Sequence, residues 1–345
     1  MRDILPILER WVESGTPVAL GSVIERVGSA PRDPGATIAV AATGEIAGSV
    51  TGGCVEPGVI REGREVLAGS PGKICRYGLN DAEGWDVGLS CGGSIAVAVY
   101  ALDPSVVAPL AAAVAENRPL AVVVRLGEEN YGEHRLVSLD DVAGDAIDAA
   151  ARSLLELGES GILEADGELI YVESFSPRPA LYLFGASDHV TALCTMGRFL
   201  GYRVTICDAR EAFVTAERFP DADELVVEWP DRFLEHAPVD ARTAICLLTH
   251  DQKFDVPALI KALQTPAGYI GAIGSAKTRA EREDRLRQEG IGDADLARIH
   301  APIGLQLGAR TPEEVAVSIA AQLIEANVVA RTKRASLVAT ATVLD

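Results

Sequence analysis

Ala180-Leu181-Tyr182-Leu183-Phe184-Gly185-Ala186-Ser187-Asp188-His189-Val190 sets five apolar residues before a glycine and a short polar turn. A run of that length, closed by glycine, reads as a β-strand turning through a loop into a helix. The same cadence returns downstream. Candidate strands are Ala180–Phe184, Arg203–Cys207, Glu224–Val227, Thr243–Leu248 and Ala267–Ile273, with helical segments between most of them. Alternation of this kind predicts a parallel sheet covered on both faces, because each crossover lays a helix on the sheet. The fold class is therefore α/β, with a Rossmann-like, doubly wound parallel sheet in the C-terminal part. A last helix, Pro312 to Arg331, is announced by Thr311 as cap, proline in the first turn and Glu314 three residues after the cap.

Working back towards the N-terminus, Ser176-Pro177-Arg178-Pro179 reads as a linker, since its prolines restrict the backbone and support no helix. The expected organisation is a first domain over 1–175, a second over 176–332, and a tail, 333–345, without a placement. In the first domain, Ile4, Leu5, Ile7, Leu8, Trp11 and Val12 are spaced as one face of a helix. Pro17 to Val27 and Ala36 to Ala41 read as strands, joined by a loop from Gly28 to Gly35. Thr43-Gly44 is a turn, Glu45 to Val50 the next strand, and a helical pattern follows Thr51-Gly52-Gly53-Cys54-Val55-Glu56 as far as Leu67. Ile74 to Leu79 reads as a strand. A polar stretch, Asp81 to Asp86, leads to Gly88-Leu89-Ser90-Cys91-Gly92-Gly93 and the apolar strand Ser94 to Leu102. Residues 103–175 carry two helical patterns and a hairpin signal at Asp166-Gly167, and complete an N-terminal α/β domain.

The 345 residues suffice for two domains with cores of their own, and the 48% hydrophobic content, rich in alanine and valine, suits helices packed on parallel sheets. A net charge of −19 argues against nucleic acid as partner, which calls for a Lys/Arg excess. An anionic small molecule stays open, because glycine loops and helix N-termini bind phosphate without bulk positive charge. The first helix is interrupted by charges and is no signal peptide, and no apolar run reaches the ~18 residues that would suggest a membrane span. The six cysteines form no C-x-x-C pair and no disulfide framework, so a cytoplasmic location is expected. Long apolar strands such as Ser94–Leu102 leave room for a homodimer.

Gly52-Gly53-Cys54 and Cys91-Gly92-Gly93 mirror each other. Glycines allow positive φ, so each cysteine is expected on a tight turn with N–H groups facing a shared ligand. A thiolate there can ligate a soft metal, carry sulfur or act as nucleophile; equally, both cysteines can be small residues packed under turns. Cys75, Cys194, Cys207 and Cys246 lie in apolar patterns and read as inert. Arg32 is placed either to grip a phosphate or carboxylate or to pair with Asp33. Glu56 is a proton carrier or a charge favouring the helix dipole. In the second domain only Gly185 matches the dinucleotide fingerprint, with Ser187 and Val190 in place of the other glycines, so NAD(P) is doubtful although Asp208 stands where an acid would hold ribose hydroxyls. Thr249-His250-Asp251 and Gly271-Ala272-Ile273-Gly274-Ser275 end two further strands and face the same crevice. His250 reads as proton carrier, metal ligand or structural residue, and Ser275 equally as a helix cap.

Taken together, Gly28-Ser29-Ala30-Pro31-Arg32, Gly52-Gly53-Cys54-Val55-Glu56, Cys91-Gly92-Gly93, Thr249-His250-Asp251, Tyr269-Ile270-Gly271, Pro302-Ile303-Gly304-Leu305 and Thr311-Pro312-Glu313-Glu314 resemble the XdhC/CoxI family, over about residues 5 to 330. The resemblance implies an accessory factor rather than a turnover enzyme. Such a factor binds molybdenum cofactor of the molybdopterin type, assists its sulfuration by a cysteine desulfurase, and delivers it to an apo molybdenum hydroxylase of the xanthine dehydrogenase or carbon monoxide dehydrogenase type. It makes Cys54 and Cys91 candidates for contact with molybdenum or its sulfur, and Arg32 a candidate for the pterin phosphate. The cofactor-binding set extends to Gly52, Gly53, Glu56, Gly92 and Gly93, and in the second domain to Gly185, Asp208, His250, Asp251, Gly274 and Ser275. Where many members carry glycine, this chain has Ser187, which counts against a nucleotide. The alternatives are an NAD(P)-dependent oxidoreductase using the Rossmann-like domain, and a cysteine-based transferase or hydrolase in which distant His250 approaches Cys54 or Cys91.

Overall fold

The N-terminal unit, Met1–Pro177, and a second unit beginning at Arg178 each enclose their own core. The structure is a computed structural model that describes residues 1–29, 32–78, 93–140, 144–249 and 251–335.

The first unit opens with a helix, α1 (Leu5–Glu13), and then strands β1 (Val18–Val27), β2 (Thr37–Ala41) and β3 (Ile46–Gly48). Helix α2 (Glu56–Leu67) and strands β4 (Lys73–Tyr77) and β5 (Ser94–Ala101) complete a five-stranded sheet in the order β3-β2-β1-β5-β4. Helix α3 (Val107–Ala115) leads to β6 (Leu120–Arg125), β7 (His134–Ser138), α4 (Ala146–Leu157), β8 (Gly161–Ala165) and β9 (Glu168–Phe175), which give a four-stranded sheet β7-β6-β9-β8. Every pairing in both sheets is antiparallel. The alanine–valine content therefore does not signal parallel strands here. It reflects burial on both faces: along β5, Ile95, Val97 and Val99 pack with Val59 of α2, while Ala96, Ala98 and Tyr100 join a core shared with α1, α3 and residues of the second sheet. The hairpin expected at Asp166-Gly167 is present. Both residues have positive φ, 53° and 73°, and connect Ala165 to its partner Glu168, as a two-residue hairpin turn requires.

The second unit comprises β10 (Ala180–Phe184), α5 (Asp188–Phe199), β11 (Arg203–Cys207), β12 (Glu224–Val226), α6 (Pro230–His236), β13 (Ala244–Leu247), α7 (Gln252–Leu263), β14 (Tyr269–Ala272), α8 (Ala276–Gln288), α9 (Asp293–Leu296), β15 (Ile299–His300) and α10 (Pro312–Ala335). All six strands are parallel, in the order β12-β11-β10-β13-β14-β15. Counted within the unit, that is the 3-2-1-4-5-6 arrangement of a doubly wound Rossmann sheet. Leu181 and Leu183 point to the core beneath α5 and α10, Tyr182 and Phe184 to the one beneath α6 and α7, so the strand is apolar throughout. The strand order reverses between β10 and β13, which places a crevice at their carboxyl ends. Among the described residues no helix is long and apolar enough to cross a membrane.

Candidate functional site

The loop from β3 to α2 is pinned at both ends and raised in the middle. Val50 and Val55 are buried in the core that holds Val59, whereas Gly52, Gly53 and Cys54 are exposed. Gly52 and Gly53 adopt φ of 91° and 132°, with open space where a Cβ would stand, so the glycines are there for backbone conformation and not for packing. Val55 caps α2, leaving Cys54 just ahead of the helix.

The carboxylate of Glu56 occupies the centre of this loop. Its Oε1 accepts from Ser49 Oγ at 2.6 Å, Thr51 N at 2.8 Å, Gly52 N at 2.9 Å and Val50 N at 3.1 Å. Its Oε2 accepts from Thr51 Oγ1 at 2.8 Å, Gly53 N at 2.9 Å and Val55 N at 3.2 Å. Partial burial opposes ionisation, but the hydrogen bonds from Ser49 and Thr51 outweigh it and hold the group far below the usual carboxylate range. Glu56 is thus ionised near neutrality and is no proton carrier; a charge at the start of α2 agrees with the helix-dipole reading. The amides of Gly52 and Gly53, expected to face a ligand, face this carboxylate instead.

Ser49 also forms part of the wall of an open cavity of about 550 Å³. Met1 to Ile4, Arg26, the stretch Arg32 to Thr37, Gly48, Ser160 and Glu173 to Phe175 complete its lining. Asp33 pairs with Arg26 at 2.7 Å rather than with Arg32, whose nearest carboxylate is Asp3 at 3.9 Å. Arg2 donates to Ser176 O at 2.9 Å. Three guanidiniums therefore border one cavity, Arg32 with a side chain 43% exposed. Glu173, also in the lining, is buried and accepts from the Met1 amino group at 2.7 Å. Gly48, at φ 81°, is required where it stands, since a Cβ would lie 2.2 Å from Thr37 O. Of the three arginines only Arg32 stands out in the sequence; Arg2 and Arg26 are brought to it by the fold alone.

The other described thiols are buried or half-buried, where Cys54 is exposed. Burial pushes those of Cys194 and Cys207 up to about 12 and that of Cys246 higher still; Cys75 is half-buried and raised by burial and then by the charge of Glu62. Cys91 and Gly92 lie outside the described residues, and Gly93 is buried just before β5. Among the described residues no group of three or more His, Cys, Asp or Glu side chains stands ready to hold a metal ion.

In the second unit Gly185 has φ 111°, and a Cβ there would meet Leu248 O and Thr249 at 3.2 Å, so this glycine serves the tight strand-to-helix turn. Ser187 caps α5 through its backbone, and its buried hydroxyl finds no partner. Asp208 is buried and gripped by Arg210, Nε to Oδ1 at 2.9 Å and Nη2 to Oδ2 at 2.7 Å. Asp251 caps α7, accepting from Lys253 N at 3.1 Å, and that amide with the Lys253 ammonium lowers its pKa. Ser275 caps α8 by accepting from Thr278 N at 3.2 Å, and Gly274 before it has φ 142°. His250 lies outside the described residues. An unforeseen buried pair joins the loops after β13 and β14. Arg282 donates to Asp255 Oδ2 at 2.9 Å and to Ile273 O at 2.7 Å, while Thr249 donates to Asp255 Oδ1. With both Asp208 oxygens engaged and a side chain at position 187, NAD and NADP are expected to show no tight site by calorimetry. Micromolar NAD binding that Asp208→Ala abolishes would overturn that expectation.

The Rossmann unit holds Asp208 in the grip of Arg210, and the antiparallel unit carries an exposed thiol on a loop whose Ser49 walls an arginine-bordered cavity. This protein belongs to the XdhC/CoxI family: residues 11–78 match the XdhC and CoxI family model, and residues 181–323 match the XdhC Rossmann domain. The chain is 24% identical over 332 residues to a Bacillus subtilis protein named as a probable xanthine dehydrogenase component, covering 94% of this chain and 98% of that one. It is 28% identical over 324 residues to the Escherichia coli molybdenum cofactor insertion chaperone PaoD, covering 93% and 87%. A crystal structure of a Bacillus halodurans protein described as a xanthine dehydrogenase is similar with a TM-score of 0.67 at 26% identity, over 96% of this chain and 97% of that one.

Proposed function

We propose that this protein is an accessory factor that binds molybdenum cofactor and passes it to an apo molybdenum hydroxylase of the xanthine dehydrogenase or carbon monoxide dehydrogenase type. The observation that carries the reading is one residue, Ser49, shared between the Cys54 loop and the wall of the arginine-bordered cavity. The donor set fits a phosphorylated pterin with a thiophilic metal. Guanidiniums suit a terminal phosphate, a thiolate suits molybdenum or its sulfur, and the volume lies within the range of small-molecule sites. When bound, the cofactor supplies a redox-active metal centre destined for the hydroxylase. In this chain Arg32, with Arg2 and Arg26 beside it, holds the phosphate, and Cys54 meets the metal or its sulfur.

Sulfuration by a cysteine desulfurase, with Cys54 and Cys91 at the point of exchange, belongs to the same reading, as do a cytoplasmic setting, a homodimer and the domain limits 1–175 and 176–332. Gly185, Asp208, His250, Asp251, Gly274 and Ser275 are the second unit's candidates for ligand contact. The similarity to PaoD supports the cofactor-insertion part of this reading, because the relative named for cofactor insertion is similar over almost the whole chain.

Equilibrium binding of isolated cofactor under anaerobic conditions tests the reading. Saturable binding near one per chain is expected, weakened about tenfold or more in Arg32→Ala, since a charge-assisted hydrogen bond contributes about 1.5–3 kcal/mol. A folded wild-type protein that shows no saturable binding would sink it.

A further inference from the structure

We propose that Glu56 is a positioning residue, whose carboxylate gathers the donors of the loop from Ser49 to Val55 and thereby sets where the Cys54 thiol stands. What the thiol meets there rests on the proposed function; the positioning itself does not.

Five backbone N–H groups and two hydroxyls, from Ser49, Val50, Thr51, Gly52, Gly53 and Val55, point inward at one carboxylate. Neutral acceptors do not hold such a ring: a water molecule offers two lone pairs, a carboxylate about four acceptor directions and a charge. The positive φ of Gly52 and Gly53 turns their amides to the same side, which makes the backbone concavity that ordinarily receives an anion. Here the chain supplies its own anion, from the first residue of α2, where the helix dipole favours it. The core anchors Val50 and Val55 fix the ends of the loop but do not reach its apex. The carboxylate does so, through both Gly52 and Gly53, the two residues preceding Cys54. Ser49 closes the ring by also accepting from Gly52 N at 2.8 Å, and since Ser49 walls the cavity, it sets the loop's register against that wall. A ligand phosphate is left to the guanidiniums.

The test compares amide hydrogen exchange of the full-length wild type with Glu56→Gln and Glu56→Ala, together with retention of loaded cofactor. In Glu56→Gln the new amide sets N–H groups against the donors of Thr51, Gly53 and Val55, so exchange at residues 50–55 should accelerate at least about tenfold while β1 and β5 exchange as before. Cofactor retention should fall by a similar factor. In Glu56→Ala, acetate or formate should refill the vacated ring, restoring slow exchange and retention where chloride at equal ionic strength does not. Unchanged exchange at residues 50–55 in both variants would overturn the proposal. So would loosening of β1 and β5 together with the loop and no effect of acetate, because Glu56 would then serve general stability. A wild type that binds no cofactor would remove the functional reading, while the exchange and acetate results would still decide the role of Glu56.

Discussion

Asp255→Ala is expected to destabilise the C-terminal unit by about 3–5 kcal/mol, the usual consequence of removing one partner from a buried ion pair. The side chains of Asp255 and Arg282 are 1% and 3% exposed. Without the carboxylate, Arg282 keeps its hydrogen bond to Ile273 O, while its Nε and Nη1 already lie buried without a hydrogen-bond partner. A full positive charge would then sit in the sheet's helical layer with almost nothing to offset its lost hydration. Thr249, on the loop after β13, would lose its acceptor as well. For a unit of this size, each kcal/mol shifts the unfolding midpoint by about 2–4 °C, so a fall of roughly 10 °C is expected. Adding Arg282→Met to the Asp255→Ala protein should recover part of the loss, because the stranded charge goes with it. Thermal unfolding and denaturant titration of the three proteins measure this. A wild-type midpoint in Asp255→Ala would mean that the pair contributes nothing, contrary to its burial.

The two halves of the chain were legible to different degrees. In the C-terminal unit Ala180–Phe184 and Arg203–Cys207 are read with the bounds they have, because each is a short apolar run closed by a glycine or an acid, and the crossover rule then dictates a parallel sheet. Strand β15, Ile299–His300, was missed: two residues carry no period. In the N-terminal unit the strands as far as β5 were visible and the Asp166-Gly167 hairpin announced one antiparallel pair, but β6, β7 and the other pairings were not legible. A strand such as β5, covered on both faces, has the same composition as a strand of a parallel sheet. The sheet β7-β6-β9-β8 pairs Leu120 with Phe175 across a helix and a hairpin, a partnership no local pattern announces. At the site, Gly52-Gly53-Cys54 was legible as a turn bearing a thiol. The role of Glu56 was not, because it depends on a loop folding back on a side chain that follows it. Arg2 and Arg26 could not be linked to Arg32 before β1 and the N-terminal turn were placed. Asp255 and Arg282 lie in helices where a charged residue reads as surface, and only the loops after β13 and β14 bring them together.

Cys54 should react with a small alkylating reagent at least about a hundredfold faster than Cys194, Cys207 or Cys246 in the native protein, since thiolate fraction and access govern the rate. Two factors act in the same direction. Cys54 stands exposed at the apex of its loop, while the other three are buried in the Rossmann unit. Burial also pushes the thiols of Cys194 and Cys207 up to about 12 and that of Cys246 further, because a charge in an apolar core loses its hydration. At pH 8 a thiol near 12 has about one part in ten thousand as thiolate. The raised values fix the sign of the pH dependence: a thiol stays neutral below its folded pKa, so lowering the pH from 8 cannot bring these three into reaction. Half-buried Cys75 should label at an intermediate rate. Carrying out the experiment in a Cys91→Ala background assigns the fast signal to Cys54, and peptide mass spectrometry reads each site separately. Denaturant should level the rates, since the difference belongs to the fold. Bound cofactor should slow labelling of Cys54 and leave Cys75 unchanged if the thiol meets the metal or its sulfur. Equal native rates at Cys54 and Cys246 would show that the Gly52-Gly53 turn does not present the thiol, and the case for Cys54 as the cofactor's contact would fall with it.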